Sequence, residues 1–507
     1  MMRLDSVDQA AQWLKSNVGV GTLQTDSRRV KPGDAFIAWP GAATDGRQYV
    51  ATSLKAGASC CLVESEGVQA YGFEDARIAQ VDGLKAASGL IAAAYYGKPS
   101  ESLDVIAVTG TNGKTSSAWW IAQALNILRK NEHSARYSCG LIGTLGMGAP
   151  GNMVSTGLTT PDPVMLQAEL ARLRDAGASA CAMEASSIGL AEHRMAGVQV
   201  KVAVFTNFTQ DHLDYHGNME AYWLAKRALF DMPGLQTAVV NLDDPKGDEL
   251  VAYCKARGLV VISTSQIRSD ATLCGSTPEH QASGMAFDVQ HAGQSQCVSC
   301  PVVGDFNAAN MLGVIGALLA LGVDIKAACQ AISRCTAVPG RMELIAEKDQ
   351  PTDSPLMVVD YAHTPDALAK ALAALRGVAQ ARGGKLWCVF GCGGNRDPIK
   401  RPLMAQAVQA GADQIIVTSD NPRHEAPEAI ASQIIAGFAG NASKIHQELD
   451  RRQAIRWAAQ HAAGDDVILI AGKGHEDYQE IAGIKHPFSD TQEAQAALKL
   501  RTRGEAA

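Results

Sequence analysis

The stretch "LDVIAVTGTNGKTSSAWWIAQALNILRK", residues 103–130, places an apolar strand, a glycine-rich turn and an amphipathic helix in direct succession. Gly110 and Gly113 let the backbone approach anionic oxygens closely, and the N–H groups at the start of the helix point toward such a ligand. Lys114 can reach the terminal phosphates of a nucleotide, and the Thr115 hydroxyl can bind Mg²⁺. The stretch therefore predicts a phosphate-binding loop between a buried strand and a helix.

The glycine spacing in this turn is shorter than that of the usual phosphate-binding loop. The usual pattern is G-x-x-x-x-G-K-[ST], which would place its first glycine at the position of Val108. Here only two residues separate Gly110 from Gly113. An ordinary glycine-rich turn is the alternative, but the Lys-Thr pair directly after Gly113 favours a nucleotide loop.

Apolar strands and amphipathic helices alternate after this loop, which is typical of a mainly parallel sheet covered by helices on both faces. The alternation pauses near "AVPGRME" and begins again, which indicates a second, Rossmann-like sheet. The segment before the loop has shorter strand-like runs between turns, and "KPSES" is predicted as a linker. We therefore predict an α/β protein of three domains, at residues 1–100, 101–338 and 339–507.

The composition excludes several classes of protein. A net charge of −7 without any block of lysine and arginine gives no electrostatic basis for nucleic-acid binding. No run approaches the ~18 apolar residues that cross a bilayer, and the N-terminus lacks the apolar stretch of a signal peptide. The twelve scattered cysteines are typical of reduced thiols. We expect a cytoplasmic protein that does not insert into membranes.

Two polar segments follow other predicted strands and could hold a metal ion. Glu184 follows "ASACAM", and a carboxylate at the end of a strand is a suitable Mg²⁺ ligand. The segment "TNFTQDHLDYHG" adds Asp211, His212, Asp214 and His216, a cluster that could bind metal or shape a site. Mg²⁺ is favoured over zinc because the chain also contains a phosphate loop.

The loop "GTNGKTS" resembles the ATP loop of the Mur ligases and of folylpolyglutamate synthetase, which are ATP-dependent amide-forming ligases. Further motifs favour the Mur ligases, in particular those that add the third residue of the peptidoglycan stem peptide. In chain order these motifs are "TDSRRVKPGDAFIAWPG", "LTTPDP", "MEASSIGLAEHR", "TNFTQDHLDYHGNMEAYWLAKRALF", "GDFNAANML", "PGRME", "VDYAHTPDAL", "GCGGNRDPIKRPLM", "DNPR" and "AGKGHEDYQ". The resemblance implies an N-terminal UDP-binding domain, a central ATPase domain and a C-terminal Rossmann-like domain for the incoming amino acid.

The resemblance also implies which residues contact two of the substrates. The groups expected to bind ATP are Gly110, Thr111, Asn112, Gly113, Lys114, Thr115, Ser116, Asn307, Arg341 and Asp360. The groups expected to bind UDP-N-acetylmuramoyl-L-Ala-D-Glu are Thr25, Ser27, Ala42, Ala43, Thr44, Thr159, Thr160, Ser186, Glu192 and Arg194. Leu158, Ile188 and Glu192 depart from residues that are frequent in the family, and no role is transferred to Leu158 or Ile188.

Lys226, in "YWLAKRALF", matches the family's carbamylated lysine. Carbamylation converts a cation into a carboxylate-like anion that can bind Mg²⁺, and it requires a neutral amine, hence a depressed pKa or a ready supply of CO₂. Without the resemblance, Lys226 would be predicted as a solvated helix lysine. The resemblance implies two Mg²⁺ ions, held by Thr115, Glu184 and carbamylated Lys226, with His212 supporting the ion at Lys226.

The reaction implied by the resemblance transfers the γ-phosphoryl group of ATP to the γ-carboxylate of D-Glu. An amine then attacks the acyl phosphate, and ADP and phosphate are released. Lys114, Lys226 and His212 are the expected catalytic residues. Lys114 and the Mg²⁺ ions neutralise the transferring phosphoryl group, carbamylated Lys226 holds one of these ions and His212 supports it. The enzyme is expected to act as a monomer in peptidoglycan precursor synthesis.

The incoming amino acid is predicted from polar clusters that follow the strands of the C-terminal sheet, where ligands of such sheets bind. Arg423 in "DNPR" suits bidentate binding of a carboxylate, and family members with this motif use meso-diaminopimelate. The remaining residues of the implied pocket are Arg396, Asp420, Asn421, Pro422, Gly472 and Glu476, of which Glu476 suits the distal ammonium.

Four alternatives are open from the sequence alone. Within the ligases, the chain could add L-lysine, or it could be similar to folylpolyglutamate synthetase. Outside them, it could be a phosphate-loop kinase or GTPase switch, although the sequence shows no Walker-B-type aspartate and no base-specificity motif. A nucleotide-sugar binding protein without catalysis is disfavoured by Lys114, Glu184 and Lys226.

Overall fold

The computed structural model describes residues 1–41, 44–130, 138–150, 152–281, 284–345, 354–440 and 445–503. The chain forms two compact units. The first contains Met1–Gly275, Val289–Gln296 and Ala309–Ile332, and the second contains Ser276–Asp288, Cys297–Ala308 and Ser333–Ala507.

A parallel sheet forms the N-terminal part of the first unit. Its strands are β1 Met2–Arg3, β2 Leu23–Gln24, β3 Ala35–Ala38, β4 Cys60–Glu64 and β5 Ile78–Val81, in the order β1-β5-β4-β3-β2. Its helices are α1 Val7–Asn17, α2 Val50–Lys55 and α3 Leu84–Tyr95. The Ser6 side chain accepts a hydrogen bond from the backbone N–H of Gln9, so the amphipathic helix α1 begins directly after this cap.

The phosphate loop lies between the first strand and the first helix of the next part of the chain. The strands are β6 Asp104–Thr109, β7 Cys139–Gly143, β8 Gly146–Ala149, β9 Asn152–Val154, β10 Ala180–Glu184, β11 Val202–Phe205, β12 Thr237–Asn241, β13 Val260–Ser265, β14 Leu273–Gly275, β15 Glu279–Gln281, β16 Gly284–His291 and β17 Gln294–Cys300. The helices are α4 Lys114–Lys130, α5 Pro163–Asp175, α6 Ser187–Ala191, α7 Leu213–His216, α8 Met219–Arg227, α9 Gly247–Ala256, α10 Asp305–Ala320 and α11 Ile325–Ser333.

In the first unit these strands form a second sheet in the order β14-β13-β12-β11-β6-β10-β7-β8-β9. The pairings from β14 to β7 are parallel, and β8 and β9 add an antiparallel edge. In the register of the central strands Glu184 pairs with Val108, and Phe205 pairs with Thr109. The carboxyl ends of β6, β10 and β11 therefore meet at one edge, where ligands bind in such sheets.

The second unit contains a six-stranded sheet and a separate hairpin. The strands are β18 Glu343–Ile345, β19 Leu356–Asp360, β20 Leu386–Phe390, β21 Gln414–Val417, β22 Ile445–Gln447 and β23 Val467–Ala471, and the hairpin is β24 Tyr478–Ile481 with β25 Ile484–Pro487. The helices are α12 Pro365–Arg382, α13 Lys400–Gly411, α14 Pro427–Ile435, α15 Arg451–His461 and α16 Asp490–Arg503. The sheet order is β18-β19-β23-β20-β21-β22, and only the β18–β19 pairing is antiparallel within the described residues.

Both faces of this sheet are covered by helices. Cys388 and Phe390 of β20 belong to the core beneath α12, α13 and α14, whereas Trp387 and Val389 belong to the core beneath α15 and α16. Successive residues of a strand point to opposite faces. This explains why the central strands are apolar at every position.

The predicted α/β architecture is present, with mainly parallel sheets in both units. The antiparallel strands β8, β9 and β15 to β17 and the hairpin β24–β25 were not predicted, because they are short or carry many polar residues. Of the helices in the described ranges, none is both long enough and apolar enough to cross a bilayer.

Arg451 and Asp490 form a fully buried bidentate ion pair, with 2.7 Å from the Arg451 Nε to the Asp490 Oδ1. Replacing Arg451 with methionine is expected to lower the free energy of unfolding of the second unit by about 3 kcal/mol, because Asp490 becomes an unpaired buried charge. Urea titration followed by hydrogen exchange in β23 measures the change. Arg452, whose pair with Glu493 is half exposed, is the control, and Arg452→Met should cost less than about 1 kcal/mol. Equal losses would contradict the prediction.

Candidate active site

The phosphate loop is shaped by its two glycines. Gly110 has a φ of 151°, and a Cβ there would lie 1.9 Å from the Thr206 Oγ1. Gly113 has a φ of 84°, and a Cβ there would lie 2.3 Å from the Asn310 Oδ1. Both positions combine left-handed backbone with a close neighbour, so only glycine fits at either. The short spacing thus belongs to a loop that packs tightly against Thr206 and Asn310.

The segment after β11 holds the loop in place. The backbone N–H of Thr111 donates to the Asn207 carbonyl at 2.8 Å, and the N–H of Asn112 donates to the Asn207 Oδ1 at 2.9 Å. The Thr206 hydroxyl donates to the Asn112 carbonyl at 2.6 Å. The Lys114 ammonium donates to the carbonyls of Gly110 and Thr111, both at 2.8 Å. Lys114 therefore lies over the loop, where it can reach a phosphate.

Glu184, at the end of β10, lies beside the start of α4. Its Oε2 accepts a hydrogen bond from the Thr115 hydroxyl at 2.9 Å, and its Oε1 accepts one from the Thr144 N–H at 2.7 Å. The Thr144 hydroxyl donates to the Thr159 hydroxyl at 3.1 Å. The structure thus brings together Thr115, Glu184 and Thr159, all predicted site residues.

This donor set fits a magnesium ion. Mg²⁺ prefers hard oxygen ligands and is usually bound by one or two protein groups together with water and substrate phosphates. The Glu184 carboxylate and the Thr115 hydroxyl are such oxygens, and both side chains are buried. No cluster of three or more His, Cys, Asp or Glu side chains with the arrangement of a metal site occurs in the described part of the chain. The residues therefore suit an ion shared with a phosphate rather than a cage built by protein alone.

Lys226, near the end of α8, is 1% exposed rather than a solvated helix lysine. Its ammonium donates to the Gly110 carbonyl at 2.6 Å and lies 4.4 Å from the centre of the Tyr222 ring. Burial lowers the pKa of Lys226 well below its ordinary value, and the positive charge of Lys114 lowers that pKa further. The environment therefore favours the neutral amine, which is the form that reacts with CO₂.

His212 and His216 both lie near the ring of Tyr222. The ring centres of His212 and Tyr222 are 6.1 Å apart, and those of His216 and Tyr222 are 5.1 Å apart. The His216 Nε2 is 3.0 Å from the Ser187 Oγ. Burial lowers the pKa of His216. The structure thus places His212 in the same aromatic cluster as Lys226.

A network of hydroxyl groups continues from Glu184 toward α6. The Thr160 hydroxyl donates to the Glu184 carbonyl at 2.8 Å and lies 3.1 Å from the Ser186 Oγ. The Arg194 Nη1 donates to the Thr160 carbonyl at 3.0 Å. Glu192, which directly follows α6, pairs with Lys85. The predicted dipeptide-binding residues of this part of the chain therefore lie side by side.

The predicted uridine-binding residues lie on turns of the N-terminal sheet. Thr25 hydrogen-bonds to the carboxylate of Asp162, which caps α5, and burial raises the pKa of Asp162. Ser27 begins the short turn Ser27–Arg29, which is capped by Asp26. The Thr44 carbonyl accepts a hydrogen bond from the Gly41 N–H at 2.9 Å. The other two predicted residues of this turn, Ala42 and Ala43, lie outside the described residues.

Three further predicted nucleotide residues belong to the second unit. The Asp360 carboxylate accepts hydrogen bonds from the N–H groups of Met342 and Ala362, each at 2.8 Å. Burial raises the pKa of Asp360, and the nearby Arg341 opposes this shift. The Arg341 guanidinium lies 4.5 Å from the centre of the Tyr361 ring. The buried Asn307 donates to the Val303 carbonyl at 2.8 Å. Of these three residues, the structure brings Arg341 and Asp360 together.

Arg423 lies between two turns of the second unit. Its φ is 53°, and its backbone N–H donates to the Glu480 carbonyl at 3.0 Å. Its Nη1 donates to the Gly394 carbonyl at 2.8 Å, and its Nε is 3.5 Å from the Glu480 carboxylate. A Cβ at Gly393 would lie 2.9 Å from the Nη1 and 4.0 Å from the Arg396 side chain. The guanidinium thus lies along the "GCGGN" turn, next to Arg396.

Glu476, predicted to bind the distal ammonium, is already paired. Its Oε2 accepts hydrogen bonds from the Lys473 ammonium and the Asn421 Nδ2, both at 2.8 Å. Lys473 is fully buried, and it also donates to the Asn421 Oδ1 at 3.1 Å. Asp420 lies 3.9 Å from the Lys473 ammonium, and a Cβ at Gly472 would lie 3.1 Å from the Asp420 carboxylate. Asp420, Asn421 and Glu476 therefore form one cluster around the buried Lys473, with Gly472 packed against Asp420.

Several residues that belong to these clusters were not predicted from the sequence. Thr144, Tyr222, Asn310 and Lys473 contact predicted site residues directly. Asn310 lies in "DFNAANML" and Lys473 lies in "GKGHE". Both motifs were recognised, but these two residues were given no role. Thr144 follows β7 and carried no motif signal.

The fold and the site define a phosphate-binding α/β protein with a buried carboxylate and a buried lysine at its loop. Three family models match the chain: "Mur ligase family, catalytic domain" at residues 20–96, "Mur ligase middle domain" at 108–318 and "Mur ligase, glutamate ligase domain" at 340–474. The chain belongs to the Mur ligase family. This confirms the predicted family, and the chain is a ligase.

Individual relatives agree with this assignment. The UDP-N-acetylmuramoyl-L-alanyl-D-glutamate–2,6-diaminopimelate ligase of Acidovorax sp. strain JS42 is 54% identical, over 98% of both chains. A solved structure with the same enzyme name is 35% identical, has a TM-score of 0.67 and is covered over 95% of both chains. A Mycobacterium tuberculosis folylpolyglutamate synthase has the same fold at 18% identity, with a TM-score of 0.59 over 83% of this chain and 96% of its own.

Proposed function

We propose that this ligase uses ATP to join meso-diaminopimelate to UDP-N-acetylmuramoyl-L-Ala-D-Glu in peptidoglycan precursor synthesis. The observation that carries the chemistry is the Gly110 carbonyl, which accepts hydrogen bonds from both Lys114 and Lys226. One lysine over the phosphate loop and a second, buried lysine beside it suit a nucleotide and a carbamate-bound metal ion. The substrates are supported by the names of the full-length relatives.

We assign the binding of the different substrates to three domains, at residues 1–100, 101–338 and 339–507. The family segments at 20–96, 108–318 and 340–474 fall within these boundaries. The first domain binds the uridine nucleotide, the second binds ATP and the dipeptide, and the third binds diaminopimelate. We place this monomeric enzyme in the cytoplasm, where ATP is available.

In the first chemical step, an oxygen of the D-Glu γ-carboxylate attacks the γ-phosphorus of ATP, and ADP leaves. The Lys114 ammonium and the N–H groups at the start of α4 bind the phosphates. Thr115, Glu184 and carbamylated Lys226 would hold two Mg²⁺ ions, which neutralise charge on the phosphoryl group when bound. Thr160, Ser186 and Arg194 orient the dipeptide, and His212 supports the metal site beside Lys226.

In the second step, the amine of diaminopimelate attacks the acyl phosphate carbon. A proton is lost from the nitrogen, the amide bond forms and inorganic phosphate leaves. Arg423 and Arg396 bind a carboxylate of the amino acid, because a guanidinium fork matches carboxylate geometry. Glu476, whose bonds from Lys473 and Asn421 are both at its Oε2, binds an ammonium group through its other oxygen. In the preceding phosphoryl transfer, the D-Glu carboxylate and the γ-phosphate must approach each other although both are anions. Cationic residues therefore supply much of the rate enhancement of that first step.

The direct test measures release of ADP and phosphate from ATP by the full chain with Mg²⁺. We expect release that requires both UDP-N-acetylmuramoyl-L-Ala-D-Glu and meso-diaminopimelate, because the acyl phosphate forms only on the bound dipeptide. Mass spectrometry of the nucleotide product should show the added diaminopimelate. Release with L-lysine but not diaminopimelate would overturn the proposed amino acid. Release without any muramoyl substrate would overturn the ligase reaction itself.

A further inference from the structure

A cation from the N-terminal part of the chain reaches the predicted dipeptide site. The Lys85 Nζ, at the start of α3, lies 2.5 Å from the Glu192 Oε2, and the Tyr215 hydroxyl donates to the Glu192 Oε1. Glu192 is thereby held at both of its oxygens. The hydrogen bonds from Lys85 and from Tyr215 lower the pKa of Glu192, so this side chain is an anion at neutral pH.

The position of α3 against this segment is fixed by close backbone packing. A Cβ at Gly89, one turn after Lys85, would lie 2.4 Å from the Ala196 carbonyl oxygen. In return, a Cβ at Gly197 would lie 2.7 Å from the Gly89 carbonyl oxygen. No side chain fits at either contact, so α3 cannot shift without separating this packing. The packing therefore keeps the start of α3, and with it Lys85, close to Glu192, in a pair whose side chains are 43% and 29% exposed.

The charges around Glu192 determine whether this part of the site attracts or repels an anionic ligand. Arg194, two residues further along, donates to the Thr160 carbonyl and contributes a favourable charge to Glu192. Without Lys85, the uncompensated charge of Glu192 would act on this guanidinium and would oppose the binding of a carboxylate by Arg194. With Lys85 in place the three side chains carry a net positive charge, which attracts an anion.

We propose that Lys85 is a positioning residue for the muramoyl-dipeptide nucleotide, acting by neutralising Glu192 so that Arg194 can bind the substrate's carboxylate. This inference rests on the proposed function, because the substrate is taken to be an anionic peptide. It makes the N-terminal part of the chain a contributor to dipeptide recognition as well as to uridine binding.

The test is a double-mutant cycle with Lys85→Met and Glu192→Gln. The quantity measured for each variant is KM for each of the three substrates. Lys85→Met is expected to raise KM for the dipeptide nucleotide about fivefold, while KM for ATP and diaminopimelate stays within about twofold. In the Glu192→Gln background, the same Lys85→Met change should alter that KM by less than about twofold, because no anion is left to neutralise. Lys85→Arg should retain the wild-type KM, since it keeps the charge.

Lys98→Met is the matched control, since Lys98 pairs with Glu101 on the exposed surface of the same part of the chain. It should leave all three KM values unchanged. Equal increases of KM in the wild-type and Glu192→Gln backgrounds would overturn the role of Lys85, as would a parallel rise in all three KM values. Wild-type turnover with the dipeptide nucleotide, measured first, tests the proposed function separately from these ratios.

Discussion

Replacing Lys226 with methionine is expected to lower kcat by about 10²- to 10³-fold, the cost of removing one preorganised electrostatic group from an active site. Lys226 is buried against the Gly110 carbonyl and Tyr222, in surroundings that depress its pKa. A neutral amine at this position reacts with CO₂ to give an anion beside the phosphate loop. Methionine has a similar length, but it cannot form that anion.

Two measurements separate carbamylation from a structural role of the buried amine. Carbon-13 NMR of enzyme supplied with labelled bicarbonate should show a carbamate signal that is absent from Lys226→Met. Formate or acetate should restore part of the activity of Lys226→Ala, because either can supply the missing carboxylate. Lys201, which pairs with Asp104 at 2.7 Å at the opposite end of the sheet, is the control, and Lys201→Met should keep kcat within about twofold.

The carbamate should also depend on pH in a defined direction. Because the pKa of Lys226 is lowered, its amine stays neutral to lower pH than an exposed lysine would. The carbamate signal should therefore disappear only as the pH falls through this depressed pKa, where protonation removes the nucleophile. A Lys226→Met enzyme with nearly wild-type kcat, or a wild-type enzyme without a carbamate signal, would contradict the assignment.

The phosphate loop and its strand could be predicted because local sequence determines them. Alternating apolar strands and helices define a parallel sheet, and a parallel register places strand ends at one edge. Glu184 could therefore be expected near Lys114, and the register of β6 with β10 places it there. These predictions needed only the period of the hydrophobic pattern and the position of polar residues after each strand.

The partners of these residues could not be predicted in the same way. Asn310 lies far along the chain from Gly113, and only tertiary packing brings its side chain onto the loop. Lys226 has the sequence pattern of a solvated helix residue, but α8 packs so that its ammonium is buried. Lys473 is fully buried, which is rare for lysine unless it is paired. Hydrophobic periodicity says which face a residue occupies, but it does not say which loops meet above the sheet.

Replacing Arg423 with lysine is expected to lower kcat/KM for meso-diaminopimelate by about 10²-fold, because a charge-assisted bidentate contact is lost while the positive charge is kept. We propose that Arg423 makes such a contact with the amino acid. Its backbone pairs with Glu480, and its guanidinium lies along the turn at Gly393 and Gly394. A lysine ammonium is a point charge, and it cannot donate to the turn and to both oxygens of a carboxylate at once.

L-Lysine as the alternative substrate makes this prediction specific, since it lacks the second carboxylate of diaminopimelate. If Arg423 binds that carboxylate, Arg423→Lys should reduce kcat/KM for diaminopimelate much more than the residual kcat/KM for L-lysine. Arg452→Lys, at the half-exposed pair with Glu493, is the control and should change neither value. If both amino acids lose kcat/KM equally, Arg423 only supports the turns at Gly394 and Glu480. A preference for diaminopimelate would then have to come from Arg396 or from the Lys473–Glu476 pair.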